Sequence, residues 1–446
     1  MQNKRFYAII IATKWQLLGE IMLCKEKYDT YVKLLKEELV PAMGCTEPIS
    51  IAYAVAKTKS LLGEKPISGI LEVSANIVKN AKSVTVPNTG GMKGIKTAFC
   101  AGLVGDADAK LQTLSKVSEE QIQLIKDYVA QFPLEIVVPD RCDVFDITVT
   151  LFSENHNAKL RIMRSHTNVV FMAKDNQTIF ENTPALSLKS KEKTLLRVKD
   201  ITDFANQVNI EDVKEVLDKQ IEYNMAIAEE GLKGDYGASI GKVILRSYQP
   251  DIKTTAKAYA AAGSDARMNG CDLPVIINSG SGNQGMATSI PVIVYAKGLN
   301  LTGEKLYRAL CVSNLITLHL KSGIGTLSAY CGAVSAGAGA GCGVCYLLGG
   351  NYEDISHTLV NALAIDSGII CDGAKASCAA KVATAVESGL LGLQMHYNGK
   401  QFFAGDGIIK KDVEDTIESV SKIASTGMSE TDKEIIKIML SDEENN

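Results

Sequence analysis

The stretch at 326–348, TLSAYCGAVSAGAGAGCGVCYLL, carries no charged side chain. Read as a helix it is apolar nearly all round, so it must be enclosed on every side rather than laid on a surface. Its glycines and alanines let neighbouring backbones come close. The segments 209–232, 285–298, 303–320, 354–365 and 374–391 read as further helices, several of them equally apolar. Strands nearly vanish after about residue 205.

The earlier part of the chain has a different texture. Residues 25–40, KEKYDTYVKLLKEELV, have helical spacing; PAMGCTEP interrupts it, and ISIAYAVAKTKSLLG resumes as a second helix. Between 66 and 200, the stretches GILEVSANIV, LEIVV, DVFDITVTLF and NVVFMAKD read as strands, with a helix at 118–131. The expected class is α+β. A mostly helical catalytic domain is built from both chain ends (25–65 and 205–446), an α+β domain is inserted at 66–204, and an extension occupies 1–24.

Apolar content of 46% and charged content of 22% leave room for a large core. A net charge of −4 gives no electrostatic pull toward nucleic acid or an anionic membrane, so neither is expected as a partner. The N-terminal run FYAIIIATKWQLLGEIML is broken by Lys14 and Glu20 and has no small-residue cleavage site after it. It is also too short to span a bilayer. It reads as a helix start or an over-long translation with Met22 as the start. The expected location is the cytoplasm, and a homodimer is compatible with the sequence.

Eleven cysteines without a secretory signal point to free thiols, a metal site or a reactive cysteine rather than disulfides. If 326–348 is one helix, Cys331, Cys342 and Cys345 share a face. At ~1.5 Å rise per residue, however, Cys331 stands ~16 Å from Cys342 along the axis. One cubane cluster cannot bridge that gap, so either Cys331 or the 342/345 pair can hold it, but not all three. The CxxC of Cys342 and Cys345 reads at least as readily as packing spacers as it does as a redox or metal pair. Cys371 and Cys378 flank DGAKAS, whose Asp372-Gly373 turn lets the pair curl around something. Ligands and buried spacers both remain open for them.

INSGSGNQGMATSIP, 277–291, alternates Gly280, Gly282 and Gly285 with polar residues before an apolar helix. Such a loop suits a carboxylate or phosphate at a helix N-terminus, with a structural glycine turn as the bland alternative. It is neither a Walker A loop nor a dinucleotide fingerprint. VPNTGGMKG, 86–94, is a weaker loop of the same kind, and SHTNVV places His166 at a strand start. Cys45 opens a helix with Thr46 as its cap and Glu47 in the first turn, a position that lowers a thiol pKa.

Together, PAMGCTEP, VPNTGGMKG, SHTNVV, NSGSGNQG, SAYCGAVSAGAGAG and ICDGAKASCAAK resemble the signatures of the L-cysteine desulfidases, over about residues 25–407. These are iron–sulfur enzymes related to the one-protein L-serine dehydratases. The resemblance implies a [4Fe–4S] cluster held by Cys331, Cys371 and Cys378, with one iron left open as a Lewis acid. It implies a β-elimination lyase converting L-cysteine, a small-molecule partner, to pyruvate, ammonia and hydrogen sulfide. Cys45 is implied either as a further cluster ligand or as a residue near the reacting carbon; in the second role it is the expected base, with His166 the second candidate. The expected substrate-binding set is Thr46, Glu47, Asn88 and Thr89, with Asn278, Ser279, Gly280, Ser281, Gly282, Asn283 and Gln284 holding the substrate carboxylate. The dehydratases' histidine in a Ser-rich motif is absent, which favours a thiol leaving group over hydroxyl. The rival readings are an L-serine dehydratase on the same cluster and a non-catalytic metal-binding or redox-sensing protein. A Schiff-base lysine such as Lys375 is a further one.

Overall fold

The computed structural model describes residues 23–140, 142–182 and 191–441. The N-terminal run with Met22, and the acidic tail beyond Ser441, lie outside the described residues.

Helix Lys25–Glu38 turns Tyr31, Leu34 and Leu35 inward. The chain then makes a two-residue strand, Pro41–Ala42, paired antiparallel with Val275–Ile276. This small ribbon ties the first part of the chain to the last and sets the start of the next helix. Gly44 follows at φ 49, where an added Cβ would lie 2.8 Å from the Pro87 ring, so only glycine fits the bend. Helix Thr46–Leu62 is buried all round over its first turns and ends on Gly63 in the left-handed conformation.

The sheet has six strands in the order Leu134–Val137, Ser68–Val73, Asp146–Phe152, Asn157–Met163, Val169–Lys174 and Gln177–Glu181. The first pair is parallel and the rest antiparallel. Period-two alternation sets its inner face: Gly69, Leu71 and Val73 point in, as do Ala158, Leu160 and Ile162. Helix Thr46–Leu62 covers that face, with Ile95–Gly102 packed against it and reaching the sheet through Phe99 at Gly69.

In the second half, helix Gly332–Leu347 is enclosed by helices Gly282–Gly298, Glu304–Ile324, Tyr352–Ile365 and Cys378–Tyr397. The small residues permit this. An added Cβ on Gly337 would sit 2.1 Å from the Ala385 carbonyl oxygen, and one on Gly341 2.4 Å from that of Gly389. One continuous apolar core runs through sheet and helices. The fold is α+β, and among the described residues no helix is long and apolar enough to cross a membrane.

The structure corrects four expectations. GILEVSANIV is not one strand: it stops at Val73, and Ser74 Oγ accepts from Ile77 N to open helix Ala75–Ala81. Asn157–Met163 and Gln177–Glu181, unread as strands, complete the sheet; outward Lys159 and Arg161 interrupt the first, and the second is exposed along its whole length. Helix Ile252–Met268 was also missed, because its alanine-rich run is buried along much of its length and shows no amphipathic period. The helix expected over 326–348 starts only at Gly332. Residues before it pair with the 369–371 backbone instead: Cys331 N donates to Ile369 O and Cys371 N to Ala329 O.

Candidate active site

Four helices begin around one partly open cavity, each without a hydrogen bond from its capping side chain. They are Thr46–Leu62 after Cys45, Gly282–Gly298 after Ser281, Gly332–Leu347 after Cys331 and Cys378–Tyr397 after Ser377. Helix starts carry partial positive charge and unsatisfied N–H groups, so four together favour anions between them.

The groups placed against these helix starts are first the thiols. Cys331, Cys371 and Cys378 all line this cavity. The backbone pairing at Tyr330–Ile370 brings the first two together, and Gly373 turns the loop back toward the third. Gly373 has φ 91, and an added Cβ would sit 2.1 Å from Lys79 O. Burial, then the neighbouring Cys371, pushes the Cys331 thiol up to about 12, and burial also raises Cys378. Lys381, tied to the Asp372 carboxylate and the Ile370 carbonyl, is an electrostatic neighbour of Cys331 and Cys378. Buried Lys321, lowered to about 8 by desolvation, faces Cys371 and Cys331. Among the described residues, no three His, Cys, Asp or Glu side chains converge as a single metal ion requires. A multi-iron cluster asks for a different arrangement, one thiolate per corner around a void, and three thiols with two lysines around a shared cavity fit that demand. Cys342 and Cys345 do not line it; both are fully buried inside the helix.

Cys45 enters the same cavity, 2% exposed. Its Sγ donates to Glu47 Oε2 at 3.0 Å. The helix start was expected to lower this thiol's pKa. Instead burial, then the Glu47 charge, pushes it well up, because desolvation outweighs a partial dipole charge. Burial alone would also raise Glu47, but the His166 ring and the Cys45 thiol hold it at about 2. His166 Nε2 lies 3.8 Å from Glu47 Oε1, an electrostatic contact rather than a hydrogen bond, and finds no partner. The imidazole rests over Gly280, where an added Cβ would come within 2.8 Å of Cε1.

Asn278 and Ser281 exchange backbone hydrogen bonds across Ser279-Gly280, both at positive φ, a tight turn that glycine makes accessible. Ser279, Gly280, Ser281, Asn283 and Gln284 line the cavity, while Asn278 turns away to Asn314. Gly282 does not line it either, being covered by a side chain described below. Thr46, expected as the helix cap, lies inside the helix with its hydroxyl on the Gly280 carbonyl. Asn88 and Thr89 lie elsewhere: the Asn88 amide donates to Leu114 O and the Thr89 hydroxyl to Val86 O. Lys375 is held by Asp372 outside the cavity, so the Schiff-base position is not met.

The sequence reading missed Arg267, on the unread helix Ile252–Met268. It is 2% exposed, lines the cavity, and its Nε finds no acceptor. Burial lowers its pKa against the opposing pull of Cys45, Glu47 and Cys378. A lone arginine at the end of an alanine-rich buried run was the available signal.

A larger cleft of about 660 Å³ on the open sheet face is lined by Glu72, Asp146, Lys159 and Arg161. Those charges pair with one another, Arg161 on Asp146 and Lys159 on Glu72. The smaller cavity instead gathers the thiols with the buried Arg267 and Lys321.

Known proteins are similar to this chain in sequence. The serine dehydratase alpha chain family model covers residues 106–437, which include His166, Arg267, the 278–284 turn and all three cavity cysteines after residue 300. A UPF0597 protein of Desulfitobacterium hafniense is 55% identical over 93% of this chain and 97% of its own. Those of Lachnoclostridium phytofermentans and Treponema denticola are 49% and 45% identical, over 93% and 94% of this chain and the full length of each. On that evidence the chain belongs to the serine dehydratase alpha chain family, among its UPF0597 members.

Proposed function

We propose that this chain is an iron–sulfur lyase that eliminates the β-substituent of a small L-amino acid, with L-cysteine giving hydrogen sulfide, ammonia and pyruvate. Family membership supports dehydratase-like chemistry. The observation that carries the reading is the meeting of Cys331, Cys371, Cys378 and Cys45 in one cation-lined cavity. When bound by the first three, a [4Fe–4S] cluster would supply a Lewis-acidic iron with no protein ligand.

The chain's own groups move the proton. Cys45 rests as a thiol, with Glu47 Oε2 as the acceptor for its hydrogen. At rest the raised thiol and the lowered carboxylate oppose transfer between them, so Cys45 acts as base only once its proton has left outward past His166, with the Arg267 charge favouring the thiolate. That thiolate takes the substrate α-proton while the β-substituent departs with its electron pair. The 2-aminoacrylate product then hydrolyses to pyruvate and ammonium. His166 lines both this cavity and an outer cleft of about 300 Å³, with Nε2 toward Glu47, so its ring can relay protons between the two. Burial of Cys45 and Glu47 keeps bulk water from the carbanion-forming step.

L-Serine, with water leaving, is the second reading, supported by the family's description. Anaerobic assay with both amino acids decides, reading sulfide, ammonia and pyruvate. Release of ammonia and pyruvate with sulfide from L-cysteine is expected; release from L-serine alone transfers the assignment, and release from neither removes it. Cys45→Ser should cut turnover by on the order of 100-fold or more while iron content stays unchanged.

A further inference from the structure

We infer that Arg267 anchors the α-carboxylate of the amino-acid substrate, an assignment that rests on the lyase reading above. The expectation from sequence gave that task to the 278–284 turn. The structure gives the turn another one. Gly282 makes room for the guanidinium: an added Cβ there would lie 2.3 Å from Arg267 Nε and 2.8 Å from Cζ.

A guanidinium on a residue only 2% exposed, with its Nε buried and without an acceptor, is costly, because that donor has lost water and gained no partner in return. The nearby acids do not supply the missing partner. Glu47 is engaged by the Cys45 thiol and the Thr46 hydroxyl, and reaches Arg267 only as an electrostatic neighbour. Cys331, Cys371 and Cys378 have cations of their own in Lys321 and Lys381, and Cys45 rests as a neutral thiol on Glu47. What remains is a planar, forked donor facing a cavity among helix starts, beside the candidate base Cys45. A carboxylate is the ligand whose two oxygens match that fork. Holding it there sets the α-carbon near Cys45 Sγ.

The test uses the anaerobically purified holoprotein and two unreactive probes followed by calorimetry. L-Alanine keeps the carboxylate, and L-alaninamide lacks it. Wild-type protein should bind L-alanine at least tenfold more tightly. Arg267→Gln should weaken L-alanine about 10- to 100-fold and leave L-alaninamide unchanged, as expected for loss of a charge-assisted hydrogen-bonded pair. Arg267→Lys, which keeps the charge but loses the fork, should fall between. Iron content and visible absorption should not change. The thermal midpoint of Arg267→Gln should stay level or rise, since an unpaired buried charge is gone; a merely structural arginine would lower it.

Wild-type affinity for L-alanine in Arg267→Gln overturns the inference, and so does parallel loss of iron, which would make the guanidinium a counter-charge for the thiolates. If wild-type protein releases ammonia from L-cysteine or L-serine while Arg267→Gln keeps its KM, the arginine assignment alone falls. If wild-type protein neither turns over these amino acids nor binds L-alanine, the lyase reading falls and takes the arginine with it.

Discussion

The two ends of helix Gly332–Leu347 hold the same side chain in opposite circumstances. At its start, Cys331 faces a cavity shared with two other thiols and approached by two lysines. Three turns on, Cys342 is fully buried, its Sγ 3.8 Å from the Ile355 carbonyl and its only charged-state neighbour another buried thiol, Cys345. Residue type does not separate them, nor does the alanine- and glycine-rich sequence around each. Position relative to the helix end does. An interior thiol sees backbone groups already bonded to one another, whereas a thiol at the start sits among open N–H donors and can face a ligand.

The largest effect should therefore follow from crossing that boundary. Anaerobically purified Cys331→Ala or Cys371→Ala should lose most of its iron and its visible absorption, and activity should drop by on the order of 100-fold or more, since cluster assembly depends on each thiolate. Cys342→Ala and Cys345→Ala should keep iron and activity within about twofold. Equal iron loss in the two sets, measured per protein, breaks the comparison.

The interior end should instead be sensitive to volume. Gly337→Ala drives a methyl to 2.1 Å from Ala385 O and 2.3 Å from Ala385 C, so the two helices must part. The better helix propensity of alanine returns about 1 kcal/mol at most, and the net loss should be about 3 kcal/mol or more in denaturant unfolding. An unchanged midpoint would mean that the close packing of this helix is not what glycine is there for.

The helix start should show its character through pH. Glu47, in the first turn of helix Thr46–Leu62, is held at about 2 against an ordinary 4.5. A depressed carboxylate contributes stability that is present above pH 4.5 and lost as pH falls toward 2. Glu47→Gln lacks that contribution. The wild-type advantage should thus be on the order of 2–3 kcal/mol near pH 5 and shrink toward zero near pH 2. A gap that does not change with pH would place the stabilisation in packing rather than in the charge.

How far the sequence spoke differs between the same two regions. Where local chemistry carries the signal, it was readable: Cys45 beside a bend, the Ser279-Gly280 turn, the strands at 68–73, 146–152 and 169–174 and the charge-free helix. Where the signal lies in three dimensions, it was silent. The start of the 332–347 helix depends on pairing with 369–371, some forty positions away, so the helix was read too long. Cys45 was placed correctly at a helix start, yet its thiol moves the other way, because burial and the Glu47 charge come from the fold. Arg267 escaped because its helix is enclosed along much of its length and shows no period. Asn88 and Thr89 had the composition of a ligand loop, but their side chains are spent on local carbonyls.

The smallest effect is the sharpest test of the interior end. If Cys342 is only a small apolar spacer, Cys342→Ala removes one buried sulfur, roughly the loss of a buried methylene, and should cost about 1 kcal/mol. Its weak Sγ contact at 3.8 Å to Ile355 O adds little, since that distance is at the limit for a thiol donor. Cys342→Ser keeps the shape but buries a hydroxyl that needs a better acceptor than the thiol did, so it should cost more than the alanine. Urea midpoints in the order wild type, then Cys342→Ala, then Cys342→Ser mark a packing residue. A serine variant as stable as wild type would show that the site is polar after all, and the distinction between the two ends of the helix would lose its physical basis.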